Sequence, residues 1–360
     1  MISKNWKGVL FLERRKTGRV MVGKIGVGCE EPISIQSMLN TKNGDFEAAK
    51  KQTEALAAAG CDIVRLAVTD EKSIEVVKRL KQTVDIPLVA DIQFDYRLAI
   101  QSVEAGIDKI RINPGNIGDD DRVRAVVEKA AEYHVPIRIG VNTGSVSQEI
   151  LDRFGGRCAR ALVEEAMRHV RILEEKNFRD IIISLKASDV PMMIESYRMI
   201  ADMVNYPLHL GVTEAGTAYS GTVKSAVGIG TLLAEGIGDT VRVSLTADPV
   251  EEITAAKEIL SALSLRKFGA TMVSCPTCAR CGINLIAIAN EVALRLKALN
   301  RDVKVAVMGC VVNGPGEARD ADIGITGAKG EGLVFRGGKI IRRVPEAELV
   351  DVLFEEIDKL

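Results

Sequence analysis

Aromatic side chains are scarce: they make up 4% of the 360 residues, with a single Trp. A core must then be built mainly from Val, Ile, Leu and Ala, the composition of parallel sheets covered by helices. Long apolar runs are missing too. Nowhere do eighteen apolar residues follow one another, and the opening "MISKNWKGVLFLERRKTG" has neither an unbroken apolar stretch nor a small-residue cleavage site. A charge excess is also absent. The formal net charge of -1 argues against a general nucleic-acid binder, which carries a basic surplus or stripe. Together these absences lead us to expect a cytoplasmic protein with no membrane and no nucleic-acid partner.

A disulfide framework is a further absence. The seven cysteines are odd in number, and a chain of this length does not need crosslinks for stability, so reduced thiols fit better. Cys29, Cys61 and Cys158 stand alone in apolar or loop settings and read as small hydrophobes.

What is present is regular alternation. The chain exceeds one average domain, and from Pro32 to Leu265 short β-branched runs alternate with helical patterns. Eight strand candidates occur: "PISIQSM", "CDIVRLAV", "IPLVADI", "GIDKIRIN", "VPIRIGVN", "RDIIISLKA", "YPLHLGVT" and "TVRVSLT". Between the first two, Phe46, Ala49, Thr53, Leu56 and Ala57 fall at helical spacing before Gly60. Eight such units in about 235 residues match a (β/α)8 TIM barrel. A doubly wound nucleotide fold would show GxGxxG after its first strand, and none follows "PISIQSM". Ahead of the barrel, an alternating stretch with Gly23 and Gly26 predicts a hairpin that caps one end. After "LSLRKFGATMVS" the pattern changes. We expect a helix beginning near Cys278 with Ile283, Ile286, Ala289, Val292 and Leu296 on its apolar face. A strand "DVKVAVMGC", a strand "ADIGITG", a hairpin turning at Gly337 and Gly338, and a closing amphipathic helix should follow. The expected domains are therefore a barrel over 1–265 and a smaller α+β domain over 266–360.

Alternate residues of a strand point to opposite faces. The outer face of a barrel must be apolar to receive helices, so the polar sets point to the axis: Arg138, Gly140 and Asn142; Arg242, Ser244 and Thr246; Arg111 and Asn113; Ser184 and Lys186; Asp91 and Gln93. Arg65, Arg111, Arg138, Lys186 and Arg242 thus gather near the carboxyl ends of five strands, where barrel active sites lie. Burying such charges unbalanced costs several kcal/mol each. An anionic ligand is the simplest remedy, and this many cations suit more than one phosphoryl group. The alternative is a web of salt bridges to Asp91, Glu214 and other local acids. Glu214, in "VTEAG", is the acid best placed for proton transfer at that mouth; its alternative role is to orient an arginine.

The second domain holds four of the seven cysteines, in "SCPTCARC" and "MGC". A CxxC at a helix start has its thiol pKa lowered by the dipole. Cys310 lies in a loop with Gly309, Gly314 and Gly316, where bare backbone can approach a bulky group. Zinc and an iron-sulfur cluster want the same thiolates, so spacing says metal site without naming the metal. Neither the CxxxCxxC of radical enzymes nor a CxxCH is present.

The segments "SCPTCARC", "VMGCVVNGPGEARDADIGITG", "RINPGNIG", "GVTEAGT" and "PLVADIQFDYRLAI" resemble those of the flavodoxin- or ferredoxin-dependent 4-hydroxy-3-methylbut-2-enyl diphosphate synthases of the non-mevalonate isoprenoid pathway. The likeness runs from about Pro32 to the carboxyl end, in the two-domain bacterial form. It implies a TIM barrel followed by a reductase-like domain, with a 4Fe-4S cluster on Cys275, Cys278, Cys310 and Glu317. It also implies reductive dehydration and ring opening of 2-C-methyl-erythritol 2,4-cyclodiphosphate, with electrons from flavodoxin or ferredoxin. Arg65, Arg111, Arg138, Asn142, Lys186, Thr213, Arg242 and Ser244 match anion-binding positions, and Glu214 matches the proposed acid. Glu317 would be a catalytic ligand, since a carboxylate yields its place on iron more readily than a thiolate. A head-to-tail homodimer is implied as well. Two departures stand out: "DIQFD" puts Gln93 where the family has a histidine, and Cys281 is extra to "CPTC". Two other readings remain at this point, a zinc-stabilised binding module and a different iron-sulfur electron-transfer reductase.

Overall fold

The computed structural model describes residues 2–4, 10–28, 30–299, 301–311, 320–328 and 331–360. Cys29 and the loop residues Gly314, Gly316 and Glu317 lie outside them. The chain divides into two compact units, Met1–Arg266 and Lys267–Leu360.

The first unit is a parallel barrel. Its strands are β1 (Ser34–Met38), β2 (Ile63–Ala67), β3 (Leu88–Asp91), β4 (Lys109–Ile112), β5 (Ile137–Asn142), β6 (Ile181–Lys186), β7 (His209–Leu210) and β8 (Thr240–Val241). They pair in the order β6-β5-β4-β3-β2-β1-β8-β7, all parallel, and a bridge from Ile183 to Leu208 joins the two ends. The last two strands are shorter than "YPLHLGVT" and "TVRVSLT" predict. Gly211 follows β7 where an added Cβ would lie 2.8 Å from both the Arg242 carbonyl and Lys186 Nζ, so only a residue without a side chain fits between this backbone and the buried lysine.

Eight helices cover the strands: α1 (Phe46–Ala58), α2 (Glu71–Thr83), α3 (Tyr96–Glu104), α4 (Asp120–Glu132), α5 (Ala159–Glu175), α6 (Val190–Met203), α7 (Ala218–Ala234) and α8 (Pro249–Ala262). Their starts are written in the sequence. Asp45, Asp70, Asp95, Asp119, Asp189 and Asp248 each accept a backbone N–H of the helix they open, a cap that contributes about 1 kcal/mol. On α1 the buried side chains are Phe46, Ala49, Thr53 and Leu56; Ala57, expected among them, is exposed. The outward strand residues Ile110, Ile112, Ile137, Ile139, Ile181 and Ile183 are fully buried under this coat.

Ahead of the barrel, Val20–Val22 and Ile25–Val27 form an antiparallel hairpin turning at Gly23, whose φ is +56°. Val20, Val22 and Val27 pack on Ile63, Val89 and Ile182, each within the first two residues of its strand. The hairpin therefore plugs the amino-terminal end of the barrel with apolar side chains, and only the carboxyl-terminal mouth is left to a polar ligand.

The second unit is a mixed sheet of β9 (Thr271–Ser274), β10 (Lys304–Met308), β11 (Ile323–Ala328), β12 (Glu331–Arg336) and β13 (Lys339–Pro345) in sequential order. The first three strands are parallel and the last two antiparallel. Helices α9 (Leu285–Lys297) and α10 (Leu349–Ile357) bury Ile288, Val292, Leu349 and Leu353 against Val305, Val307, Ile323 and Ile325. Each such side chain contributes about 1.5–3 kcal/mol. Gly337 and Gly338, both at positive φ, make the β12–β13 turn as expected.

The expected start of α9 is corrected. Cys278 is not at a helix amino terminus: the helix begins at Leu285, capped by the Asn284 side chain. Its apolar face runs Leu285, Ile288, Val292 and Leu296, and Ile286 points to solvent. Apolar residues crowd "INLIAIAN" on more than one stripe, and the polar segment before Leu285 is taken up in wrapping the cysteines. Among the described residues no helix is long and apolar enough to cross a membrane.

Candidate active site and cysteine pocket

Parallel register fixes which side chains share the barrel axis. Asp91 is opposite Arg111, Arg111 opposite Arg138, Gly140 opposite Ser184, and Asn142 opposite Lys186. Arg65 pairs with Val89 on the same inward face. The cations are deeply buried: Arg138 is 1% exposed, Lys186 7%, and the side chains of Arg65 and Arg111 13% each.

Two carboxylates enter this interior. Asp91 Oδ2 meets Arg65 Nη2 and its Oδ1 meets Arg111 Nη1, both at 3.1 Å. Burial works to raise the Asp91 pKa, yet Arg65, Arg111 and Arg138 hold it below the usual carboxylate value. Glu252, from the first turn of α8, accepts from Ser37 Oγ at 2.8 Å and the Leu245 N–H at 3.1 Å, and stands 3.5 Å from Arg242 Nε. The salt-bridge alternative is thus realised in part, through Asp91 and Glu252. It leaves Arg138 Nε and Nη1 buried without a hydrogen-bond partner among the described residues. Burial opposes the charge on Arg138 and Lys186, and the neighbouring cations oppose it further.

A sixth cation was not read from the sequence. Lys109 opens β4 two residues before Arg111, faces the axis, and is fully buried with Nζ unpartnered among the described residues. In "GIDKIRIN" it follows an acid at a strand start, where a lysine ordinarily meets solvent; the parity shared with Arg111 was the available signal.

Above these cations a cavity of about 280 Å³ is lined by Gln93, Arg111, Asn113, Asn142, Thr213 and Glu214, among others. Arg111 Nη2 donates to the Gly140 carbonyl at 2.9 Å. The Ser145 hydroxyl ties the chain after β5 into a 3-10 turn by accepting the Asn142 N–H and donating to its carbonyl. Glu214 is exposed on the cavity wall with φ of +52°, a conformation that costs a non-glycine residue of order 1 kcal/mol and persists where surroundings impose it. Ser244, half-buried beyond β8, is not among the residues lining this cavity, and of the five cations only Arg111 is.

In the second unit the parallel β9 and β10 end at the same edge, the usual ligand edge of such sheets. Cys275 directly follows β9 and Cys310 lies two residues past β10. Both line a cavity of about 360 Å³ together with Cys278, Arg280, Cys281 and Gly309. The Gly309 N–H donates to Cys275 Sγ at 3.2 Å, and the Arg280 backbone N–H and side chain lower the Cys278 thiol pKa. Cys281 Sγ is turned to the Ile283 carbonyl at 3.2 Å and packs on the helix-covered core. An added Cβ at Gly309 would lie 2.7 Å from that sulfur. Among the described residues no three His, Cys, Asp or Glu side chains are grouped to hold one metal ion. Soft thiols on a shared cavity, with backbone N–H donation to sulfur, nevertheless suit an iron-sulfur cluster.

The sequence matches two family models, the GcpE TIM-barrel domain over residues 17–257 and the GcpE protein C-terminal domain over residues 271–359. It is 57% identical over 349 residues to a 4-hydroxy-3-methylbut-2-en-1-yl diphosphate synthase (flavodoxin) of Clostridium perfringens, covering 97% of this chain and 100% of that relative. To the enzyme of the same description from Geobacter sulfurreducens it is 56% identical over 347 residues, covering 96% and 98%. Among solved structures it resembles dihydropteroate synthase from Stenotrophomonas maltophilia, with a TM-score of 0.51 and 15% identity over 70% of this chain and 100% of that one, a likeness of fold alone. On the family matches and the near-complete overlap with these relatives, the chain belongs to the GcpE family.

Proposed function

We propose that this protein catalyses the reductive dehydration and ring opening of 2-C-methyl-erythritol 2,4-cyclodiphosphate to 4-hydroxy-3-methylbut-2-enyl diphosphate and water, with two electrons and two protons taken up. The observation that carries the reading is the surplus of buried cations on the barrel axis: Arg138 keeps unpartnered donors, and its register neighbour Arg111 lines the polar cavity. In this reading Arg65, Arg111, Arg138, Lys186 and Arg242 bind the two phosphoryl groups, assisted by Asn142, Thr213 and Ser244. Asp91 and Glu252 orient the arginines rather than neutralise them all. Glu214, on the cavity wall, delivers a proton to the oxygen that leaves as the C–O bond breaks. Gln93 stands where the family has an imidazole and offers only hydrogen bonds.

Cys275, Cys278 and Cys310, with Glu317 as the carboxylate ligand, would hold the 4Fe-4S cluster. Such a cluster supplies electrons one at a time at a potential tuned by hydrogen bonds to its sulfurs. The Gly309 N–H on Cys275 Sγ is one such bond. Cys281, hydrogen-bonded to the Ile283 carbonyl, packs beside this ligand set and is no member of it. Flavodoxin, named in the description of the relatives, is the electron source by this reading, with ferredoxin the other small carrier of that kind. The reduced thiols accord with a cytoplasmic location, and the working form is a homodimer.

Turnover decides the matter. Anaerobically reconstituted protein with an artificial reductant should convert the cyclic diphosphate; an intact cluster with no product would refute the assignment. Dilution to a monomer should abolish activity, and a fully active monomer would remove the dimer from the proposal.

A further inference from the structure

Lys109 lies on the axial face of β4 one inward position below Arg111, roughly 7 Å deeper at two residues of strand rise. Its side chain is fully buried and Nζ has no hydrogen-bond partner among the described residues. The groups that face it do not help. Arg138 from β5 and Arg65 from β2 repel its charge, and His209 from β7 is itself buried beside Arg138, Lys186 and Lys109. Asp91 from β3 is engaged by Arg65 and Arg111. Below lies the hairpin, which offers only Val20, Val22 and Val27. Asp108, the preceding residue, is held by Lys81 Nζ at 2.6 Å and the Leu88 N–H at 2.8 Å.

An ammonium without an acceptor in such a place is costly. The arginines beside it cannot relieve the crowding, because a guanidinium keeps its proton in proteins; a lysine can give its proton up. Burial first, and then Arg138 and Arg65, push the Lys109 pKa well below its ordinary value.

We propose that Lys109 is uncharged in the free barrel and takes up one proton when the diphosphate enters, so that substrate binding is coupled to protonation of a residue beneath the anion site. The inference rests on reading the mouth as a diphosphate site. Each phosphoryl group of the cyclic diphosphate carries one strongly acidic hydroxyl, already ionised at neutral pH. The ligand therefore enters as a dianion and neither gives nor takes a proton itself. Its negative potential favours the charged form of Lys109, and the proton comes from solvent through the open mouth. The free energy of the buried cation is then returned only when the correct anion is present.

The test is calorimetric titration of the cyclic diphosphate into the full-length protein, without reductant so that no turnover occurs, in buffers of different ionisation enthalpy from about pH 7 to 9. By linkage the wild type should take up about one proton per ligand bound, and its affinity should fall by up to about tenfold per pH unit within the coupled range. Lys109→Met should bind with little uptake and a flatter pH profile. Lys109→Arg, which keeps its charge throughout, should lose the uptake as well. Binding by the wild type without proton uptake would overturn the proposal and leave the anion site standing. Uptake persisting in both variants would overturn the assignment to Lys109. Failure of the wild type to bind at all would overturn the anion site and this proposal with it.

Discussion

Asp91 holds two arginines at once, one on each oxygen, in an interior crowded with cations. Removing one partner of a buried ion pair leaves the other uncompensated and costs about 3–5 kcal/mol. Asp91→Asn should therefore lower the melting temperature by several degrees and raise KM at least tenfold; an unchanged KM with intact fold would separate Asp91 from the anion site. The five cations assigned to the axis were legible because strand alternation is a two-residue code. Lys109 was not, because burial at a strand's first residue depends on what closes that end of the barrel, and the apolar hairpin that does so is remote in sequence. Among the cysteines, spacing could not rank Cys281 against its neighbours. The fold gives them different contacts: Cys281 is hydrogen-bonded to the Ile283 carbonyl and Cys278 is exposed, while Cys275 and Cys281 are both half-buried against the core and all three line the cavity. Cys281→Ser should keep cluster absorbance and activity, and Glu317→Ala should lose much of both. The reverse order would exchange their roles.

At the scale of elements, β5 works as a cradle as much as a strand. Gly140 faces the axis, and Arg111 lies across it with Nη2 on its carbonyl. A Cβ there would sit 2.3 Å from Arg111 Nε. The glycine is required for close approach and not for a left-handed backbone. Gly140→Ala should thus leave the barrel folded at a cost of about 1–3 kcal/mol, typical of overpacking, while swinging Arg111 out of the site. We expect kcat/KM to fall at least tenfold with the circular dichroism spectrum unchanged; a variant of full activity would mean that Arg111 can reach the ligand by another path. The helices were legible from their Asp caps and periodicity. The ends of β7 and β8 were not: the strands stop at Leu210 and Val241, where Gly211 packs closely on the Arg242 carbonyl and Lys186, a three-dimensional packing event with no local signature. The start of α9 was missed because residues 275–284 are turn, bend and irregular backbone and the cap comes only at Asn284.

For the whole molecule, the change of pattern after Leu265 made the two units legible, while the charge economy of the barrel emerged only with the side chains in position. That economy has a thermodynamic sign. Lys109, Lys186 and His209 all have folded-state pKa values held well below their ordinary ones, first by burial and then by neighbouring cations. Between the folded and unfolded values of such a group the unfolded chain binds more protons, so the free protein gains stability as pH rises and loses it as pH falls. Depressed carboxylates have the same sign but act far lower: burial opposes the charge of Glu165, yet hydrogen bonds from His169 and Ser147 bring it down to about 2. Cys61 and Tyr197, pushed up to about 12 by burial, titrate the opposite way at the alkaline end. A bound dianion reverses only the cationic part, because it favours the charged form of Lys109. The increase in melting temperature caused by a saturating excess of cyclic diphosphate should therefore be larger near pH 7 than near pH 9. Taking the difference between bound and free protein at each pH cancels groups remote from the ligand, such as Glu165. Scanning calorimetry of the barrel transition with and without ligand measures it, and an equal or larger shift near pH 9 would show that the barrel is charged before its anion arrives.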